Sequence, residues 1–136
     1  MIVLDASLVV AWLAMEELPA PRHEIYRSLP DHLLLVPSHW PFEVSNALRS
    51  RMKARMLSIG DFHSIMERLD QLSIEIQTPP DLDEIGPLAQ FALTHDLTTY
   101  DAAYVQLAYQ RGVPLATHDG AMRTSAAKLN IPLLPA

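Results

Sequence analysis

Met1-Ile2-Val3-Leu4-Asp5-Ala6-Ser7 is a short apolar run that stops on a carboxylate, and how it is read decides the fold. Three aliphatic residues are too few for a helix and suit a buried strand. Asp5 then has two readings: the N-cap of a helix beginning near Ala6 or Ser7, or a functional acid at a strand end. Runs of the same kind recur at residues 33–36, 74–76, 113–116 and 131–134. Between them lie stretches with helical spacing. Over residues 39–56, Val44, Ala47, Leu48, Met52 and Met56 fall on one face, which leaves the basic residues of that stretch outward. Ser58 and Asp61 resemble a capping box that starts the next helix, ahead of Phe62, Ile65, Met66 and Leu69. Further helices are expected over 21–28, 83–94, 100–110 and 120–129. Strands alternating with helices imply parallel pairing with covered faces, so the expected fold is α/β, a three-layer α/β/α sandwich. In such sheets ligands bind just past the carboxyl ends of the strands.

The bulk numbers agree with one compact domain over residues 1–136. The chain has 136 residues, of which 49% are hydrophobic, enough for a real core and too many for disorder. It has no cysteine, which excludes disulfides and thiolate metal sites and points to a reducing cytoplasm. The N-terminal apolar run has no basic flank and breaks at Asp5, so no signal peptide is expected. No apolar stretch approaches the roughly 20 residues that span a bilayer. The net charge of −6 argues against a protein that grips nucleic acid with its whole surface. Yet Arg49, Arg51, Lys53 and Arg55 supply four of the ten basic residues within seven positions, a local patch for a phosphate backbone or an ordinary solvated helix face. With four glycines in all, neither a Rossmann nor a P-loop fingerprint can be placed.

Four acids stand where the topology makes polar groups informative, and each also has a plain structural reading. Asp5 and Asp119 follow apolar strands and suit helix caps. Glu43 lies in a first helical turn, where a carboxylate favours the helix dipole. Asp101, three residues after Thr98, resembles a capping box with Asp in place of Glu. Together they belong at one sheet edge. Four carboxylates in one crevice repel one another unless cations neutralise them. Oxygen ligands without cysteine point to Mg²⁺ or Mn²⁺. Such a site activates water and stabilises charge on a phosphodiester. Ser7, Asn46 (one turn beyond Glu43) and Thr117 are candidate supporting residues. The histidines, His23, His32, His39, His63, His95 and His118, show no ligand spacing and read mostly as surface residues. His118, beside Asp119, is the one within reach of a substrate.

Four segments in order resemble the VapC-type PIN-domain toxins. They are Met1-Ile2-Val3-Leu4-Asp5-Ala6-Ser7, the Glu43-Val44-Ser45-Asn46-Ala47-Leu48 core of the 37–48 segment, Leu97-Thr98-Thr99-Tyr100-Asp101-Ala102-Ala103-Tyr104, and Pro114-Leu115-Ala116-Thr117-His118-Asp119. The resemblance implies a five-stranded parallel sheet and a Mg²⁺- or Mn²⁺-dependent endoribonuclease with Asp5, Glu43, Asp101 and Asp119 as its metal-site acids. It also implies a homodimer, a cognate VapB-like antitoxin whose C-terminal segment blocks the cleft, and structured RNA substrates, often transfer RNA. After Asp119 come Gly120-Ala121-Met122, without the further acid some relatives carry. The alternatives are a non-toxin PIN-type RNA-processing nuclease, a catalytically silent RNA- or protein-binding domain, and a haloacid-dehalogenase-like phosphatase. The last requires a second aspartate where Ser7 stands.

Overall fold

The structure, a computed structural model, describes residues 1–14 and 25–136. Its strands are β1 (Ile2–Leu4), β2 (Leu33–Val36), β3 (Ser73–Ile76), β4 (Leu115–Ala116) and β5 (Leu133–Leu134), and its helices are α1 (Ala6–Leu13), α2 (Trp40–Lys53), α3 (Ile59–Asp70), α4 (Leu82–Thr94), α5 (Thr99–Arg111) and α6 (Gly120–Lys128). Residues 25–28 are also helical; the rest of the helix expected over 21–28, with His23, lies outside the described residues. All strands pair in parallel in the order β3-β2-β1-β4-β5, with Val3 of β1 opposite Leu35 of β2 and Leu115 of β4. The α/β/α sandwich with a five-stranded parallel sheet is therefore the fold. Helices α1, α2 and α3 pack together on one face, and α4, α5 and α6 on the other.

Parallel strands covered on both faces carry near-continuous aliphatic runs. Accordingly Ile2, Val3 and Leu4, Leu34, Leu35 and Val36, and Leu115 and Ala116 are all buried. Edge strand β3 is mostly exposed and shorter-sided in its apolar content, with Glu75 and Ile76 in solvent. The Ser58–Asp61 capping box closes both ways, Asp61 N donating to Ser58 Oγ at 3.0 Å and Ser58 N donating to Asp61 Oδ2 at 2.9 Å.

Three expected bounds are corrected. Helix α2 stops at Lys53, because the chain turns through a left-handed Arg55 (φ 58°) and Met56 N bonds back to Arg51 O. Met56 is 65% exposed and does not join the buried face. Strand β4 begins at Leu115 rather than Val113, since Val113 N is spent on Ala108 O in closing α5 past left-handed Gly112. Strand β5 begins at Leu133 because Ile131 N closes α6 on Ala126 O and Pro132 has no N–H to give.

The strand order sets the crevice. From β1 the chain steps outward through β2 to β3, then returns to fill the other side of β1 with β4 and β5. The switch point lies between β1 and β4, where the two outgoing connections diverge and leave a cleft past the strand ends. Asp5 directly follows β1, and Asp119 lies three residues beyond β4.

Candidate active site

Asp5 is the most enclosed acid of the cleft, 5% exposed. It caps α1 as its bland reading required, Oδ1 accepting from Ser7 N at 3.4 Å. Its other oxygen does more: Oδ2 accepts from Ser7 Oγ at 2.9 Å and from Thr117 Oγ1 at 2.8 Å. Burial pushes its carboxyl above the usual value, these hydrogen bonds pull it back, and the charge on Glu43 adds to the rise. Thr117 is fully buried and works in two directions, since its hydroxyl also accepts from Asp119 N at 3.0 Å. One hydroxyl thus ties the end of β1 to the turn after β4.

Asp119 is exposed and caps α6, Oδ1 accepting from Met122 N at 2.9 Å. Asp101 sits in the first turn of α5, its N–H donating to Thr98 Oγ1 at 3.1 Å. Its pKa is raised by burial first, then by Asp119 and Asp5, and by Glu43 more weakly, while the Thr98 hydroxyl lowers it. The other three acids therefore all act electrostatically on the Asp101 carboxyl. For Asp5 and Asp119 the capping role and the cleft position hold together, so one does not exclude the other.

Glu43 is held by two residues that the sequence did not single out. Tyr104 OH, fully buried on α5, donates to Glu43 Oε1 at 2.8 Å. His39 Nε2 lies 3.0 Å from the same oxygen, without the alignment of a hydrogen bond, a contact that becomes an ion pair when the imidazole is protonated. His39 is the N-cap residue of α2, one helical turn before Glu43, and Tyr100 and Tyr104 meet its ring edge-on with centroids 5.4 Å away. Burial raises the Glu43 pKa, but His39 and Tyr104 outweigh it and leave Glu43 lowered. The same contact, on top of its own burial, drives the Tyr104 phenol far above its usual range, so it stays a donor. His39 is thus not the surface histidine expected. The i,i+4 spacing to Glu43 and the i,i+3 spacing of Tyr104 from Asp101 were the available signals.

The supporting residues divide. Ser7 and Thr117 contact Asp5, whereas Asn46 is exposed on α2. His118 faces inward, its Nε2 3.3 Å from Tyr26 OH. The basic residues begin six positions after Glu43 and follow α2 away from it, so Lys53 lies about 15 Å down the axis. Arg51 Nη1 bonds back to Ala47 O at 3.3 Å. Among the described residues no three carboxylate or imidazole groups are gathered closely enough to hold a metal ion. The donor set nonetheless fits a hard cation, being all carboxylate oxygen, mutually repelling and partly desolvated.

Comparison with known proteins agrees with this fold. The profile of the PIN domain family matches residues 2–128. The chain is 32% identical over 127 residues to Ribonuclease VapC12 of Mycobacterium tuberculosis, in strains CDC 1551 and H37Rv, covering 92% of each chain. Among solved structures it is similar to PAE2754 from Pyrobaculum aerophilum, with a TM-score of 0.64, 24% identity, and 91% of this chain and 78% of that one covered. It is also similar to FitAcB from Neisseria gonorrhoeae, with a TM-score of 0.59, 17% identity, and 98% and 96% covered. Those two likenesses speak to the fold.

Proposed function

Because the chain belongs to the PIN-domain family, in its VapC-type branch, we propose that it is a metal-dependent endoribonuclease, the toxin of a VapBC-type toxin–antitoxin pair. The observation that carries this reading is that the charges of Asp5, Glu43 and Asp119 all bear on the Asp101 carboxyl, and that of Glu43 on Asp5, across the β1/β4 switch point. Mg²⁺ or Mn²⁺ held by these four would generate a nucleophilic water and neutralise charge on the scissile phosphodiester. The protein's own part is positional. Ser7 and Thr117 fix both oxygens of Asp5. His39 and Tyr104 keep Glu43 ionised, so that it is ready to serve as a ligand. Asp101 and Asp119, on helix N-termini at the cleft, complete a set with no side-chain nucleophile. The ribonuclease activity in the name of the mycobacterial relative supports the same chemistry here.

The reading implies RNA substrates, transfer RNA among them, a VapB-like antitoxin and a homodimer in the cytoplasm. No helix of the described residues is long and apolar enough to cross a membrane. Large apolar side chains in solvent support the protein partners: Phe42 is 80% exposed, Leu82 86% and Leu93 84%. An apolar cleft of about 700 Å³ between α2 and α3, lined by Leu48, Met52, Phe62 and Met66, adds an adaptable surface of the same kind. The basic stretch Arg49–Arg55 is in this reading a distal contact for the RNA backbone.

The test is cleavage of total and transfer RNA by the purified chain with Mg²⁺ or Mn²⁺, with chelator, and with Asp5→Asn. The expected result is metal-dependent cutting that the variant loses while it stays folded. Undiminished cutting by Asp5→Asn refutes the metal assignment. Mapping the RNA species cut after brief expression of the chain without its partner names the target.

A further inference from the structure

A second cleft opens beside the acids, on the face of the sheet covered by α4 and α5. It encloses about 370 Å³ between the start of α2, the β3–α4 connection and one face of α5, at the low end of the ~300–1,000 Å³ of small-ligand sites. Its lining includes His39, which lies against Glu43, and Tyr100, which precedes Asp101. Tyr100 is 65% exposed and its ring packs edge-on against His39 at 5.4 Å. Beyond them the walls carry the side-chain amides of Gln77, Gln106 and Gln110. Arg111 Nη2 donates to Gln77 Oε1 at 3.0 Å and lies 4.0 Å from Glu75 Oε1. Along α5, Tyr100, Gln106 and Gln110 all line this cleft from a broad face of the helix, over about 15 Å of its axis leading away from Asp101.

This lining suits a nucleobase better than a phosphate. Its one guanidinium already serves an amide and a carboxylate, so little net positive charge faces the cleft. Amides offer donors and acceptors together, as base edges do. An exposed aromatic ring beside a scissile-phosphate site is the surface on which an unstacked base of single-stranded RNA lies. Continuity with the acids comes from two separate elements, α2 through His39 and α5 through Tyr100.

We propose that this cleft is the subsite for one base of single-stranded RNA next to the cut, stacked on Tyr100 and read by Gln106. The proposal rests on the ribonuclease reading and sets where that enzyme draws its base preference. The probes are single-stranded octaribonucleotides randomised at the two central positions, and their nuclease-resistant 2′-O-methyl counterparts. Cleavage-site preference, kcat and KM are measured on the first and Kd by fluorescence anisotropy on the second, for wild type, Tyr100→Ala, Tyr100→Phe and Gln106→Ala. Tyr100→Ala is expected to raise KM and Kd about tenfold, the scale of one lost base stack, with a much smaller effect on kcat. Gln106→Ala should flatten the base preference at one position, and Tyr100→Phe should keep wild-type binding. If wild type cuts the pool and both alanine variants match its preference and Kd, the subsite is refuted and the nuclease reading stands. If wild type cuts no RNA, the nuclease reading falls and the subsite with it. If Tyr100→Ala instead abolishes a dimer in sedimentation while binding is unaltered, a second copy occupies the cleft and the proposal is overturned.

Discussion

Replacing Asp5 by Asn is expected to make the metal-free protein more stable while destroying its proposed site. Asp5 is 5% exposed, and burial is the largest influence on its carboxyl, whose pKa lies above the ordinary 3.8. An acid whose folded pKa is raised holds its proton more tightly in the native than in the unfolded chain. That contribution is complete below pH 3.8 and is lost as pH rises through the folded value, so at neutral pH the ionised side chain works against folding. Asparagine keeps the shape, caps α1 nearly as well and still meets the Ser7 and Thr117 hydroxyls, which rotate to suit. Because those hydrogen bonds offset much of the burial penalty, the gain is about 1–2 kcal/mol, the range of ordinary single substitutions. For 136 residues the unfolding entropy is about 0.3 kcal/mol per kelvin, so Tm rises by roughly 3–7 °C. A cation at 10 to 100 times its Kd then stabilises wild type by about 1.4–2.7 kcal/mol and leaves the variant where it was. Calorimetric melts of both proteins at pH 7.5, with chelator and with Mn²⁺, test this, and the metal-free difference should vanish near pH 3.5. A variant less stable than wild type in chelator, or equal metal shifts in the two proteins, refutes the reasoning.

Tyr104→Phe removes the hydroxyl that donates to Glu43 Oε1 and should cost about 1 kcal/mol, discounted for the partial exposure of Glu43. Since the Glu43 pKa is lowered in the fold, its stabilisation is present above the unfolded value and lost as pH falls through the folded one. The variant should therefore lose stability at higher pH than wild type, and the Glu43 carboxyl resonance should titrate higher; an unmoved titration refutes the role. Thr117→Val is nearly isosteric but leaves Asp5 Oδ2 with the Ser7 hydroxyl alone and strands Asp119 N, for an expected loss of about 1–2 kcal/mol in urea unfolding; a loss under 0.5 kcal/mol contradicts the bridge. Neutralising Arg49 and Lys53 together should weaken RNA binding and reduce the slope of log K against log salt by about 1.4 if both contact single-strand phosphates. An unchanged slope makes them an ordinary solvated face.

The sheet could be read from the chain because parallel, doubly covered strands advertise themselves as unbroken aliphatic runs. The bounds of β1 and β2 follow from Ile2–Leu4 and Leu33–Val36 alone. The last two strands read too long for a local reason: apolar composition does not reveal that Val113 and Ile131 spend their N–H groups closing helices. The acids were visible as residues that end strands or open helices, since topology carries such positions to one edge. Ser7 and Thr117, which hold Asp5, were visible for the same reason; what holds Glu43 was not. Tyr104 reads as one more apolar-face residue of α5, and the hydrogen bond to Glu43 crosses 61 positions. Pairings of that kind depend on how two helices settle on the sheet, which no local pattern encodes. His39 was the recoverable omission, one helical turn from an acid already under suspicion.

The Thr117–Asp5 hydrogen bond joins residues 112 positions apart, and this bears on the chain's own synthesis. The first acid leaves the ribosome long before the strand whose hydroxyl completes its setting. A nascent chain therefore carries the leading ligand of the proposed site without the geometry that would make it cut. An RNA-degrading enzyme that matured early would attack the message and the translation machinery producing it. In the proposed enzyme the setting of Asp5 therefore waits for the chain beyond β4, a consequence of placing β4 beside β1.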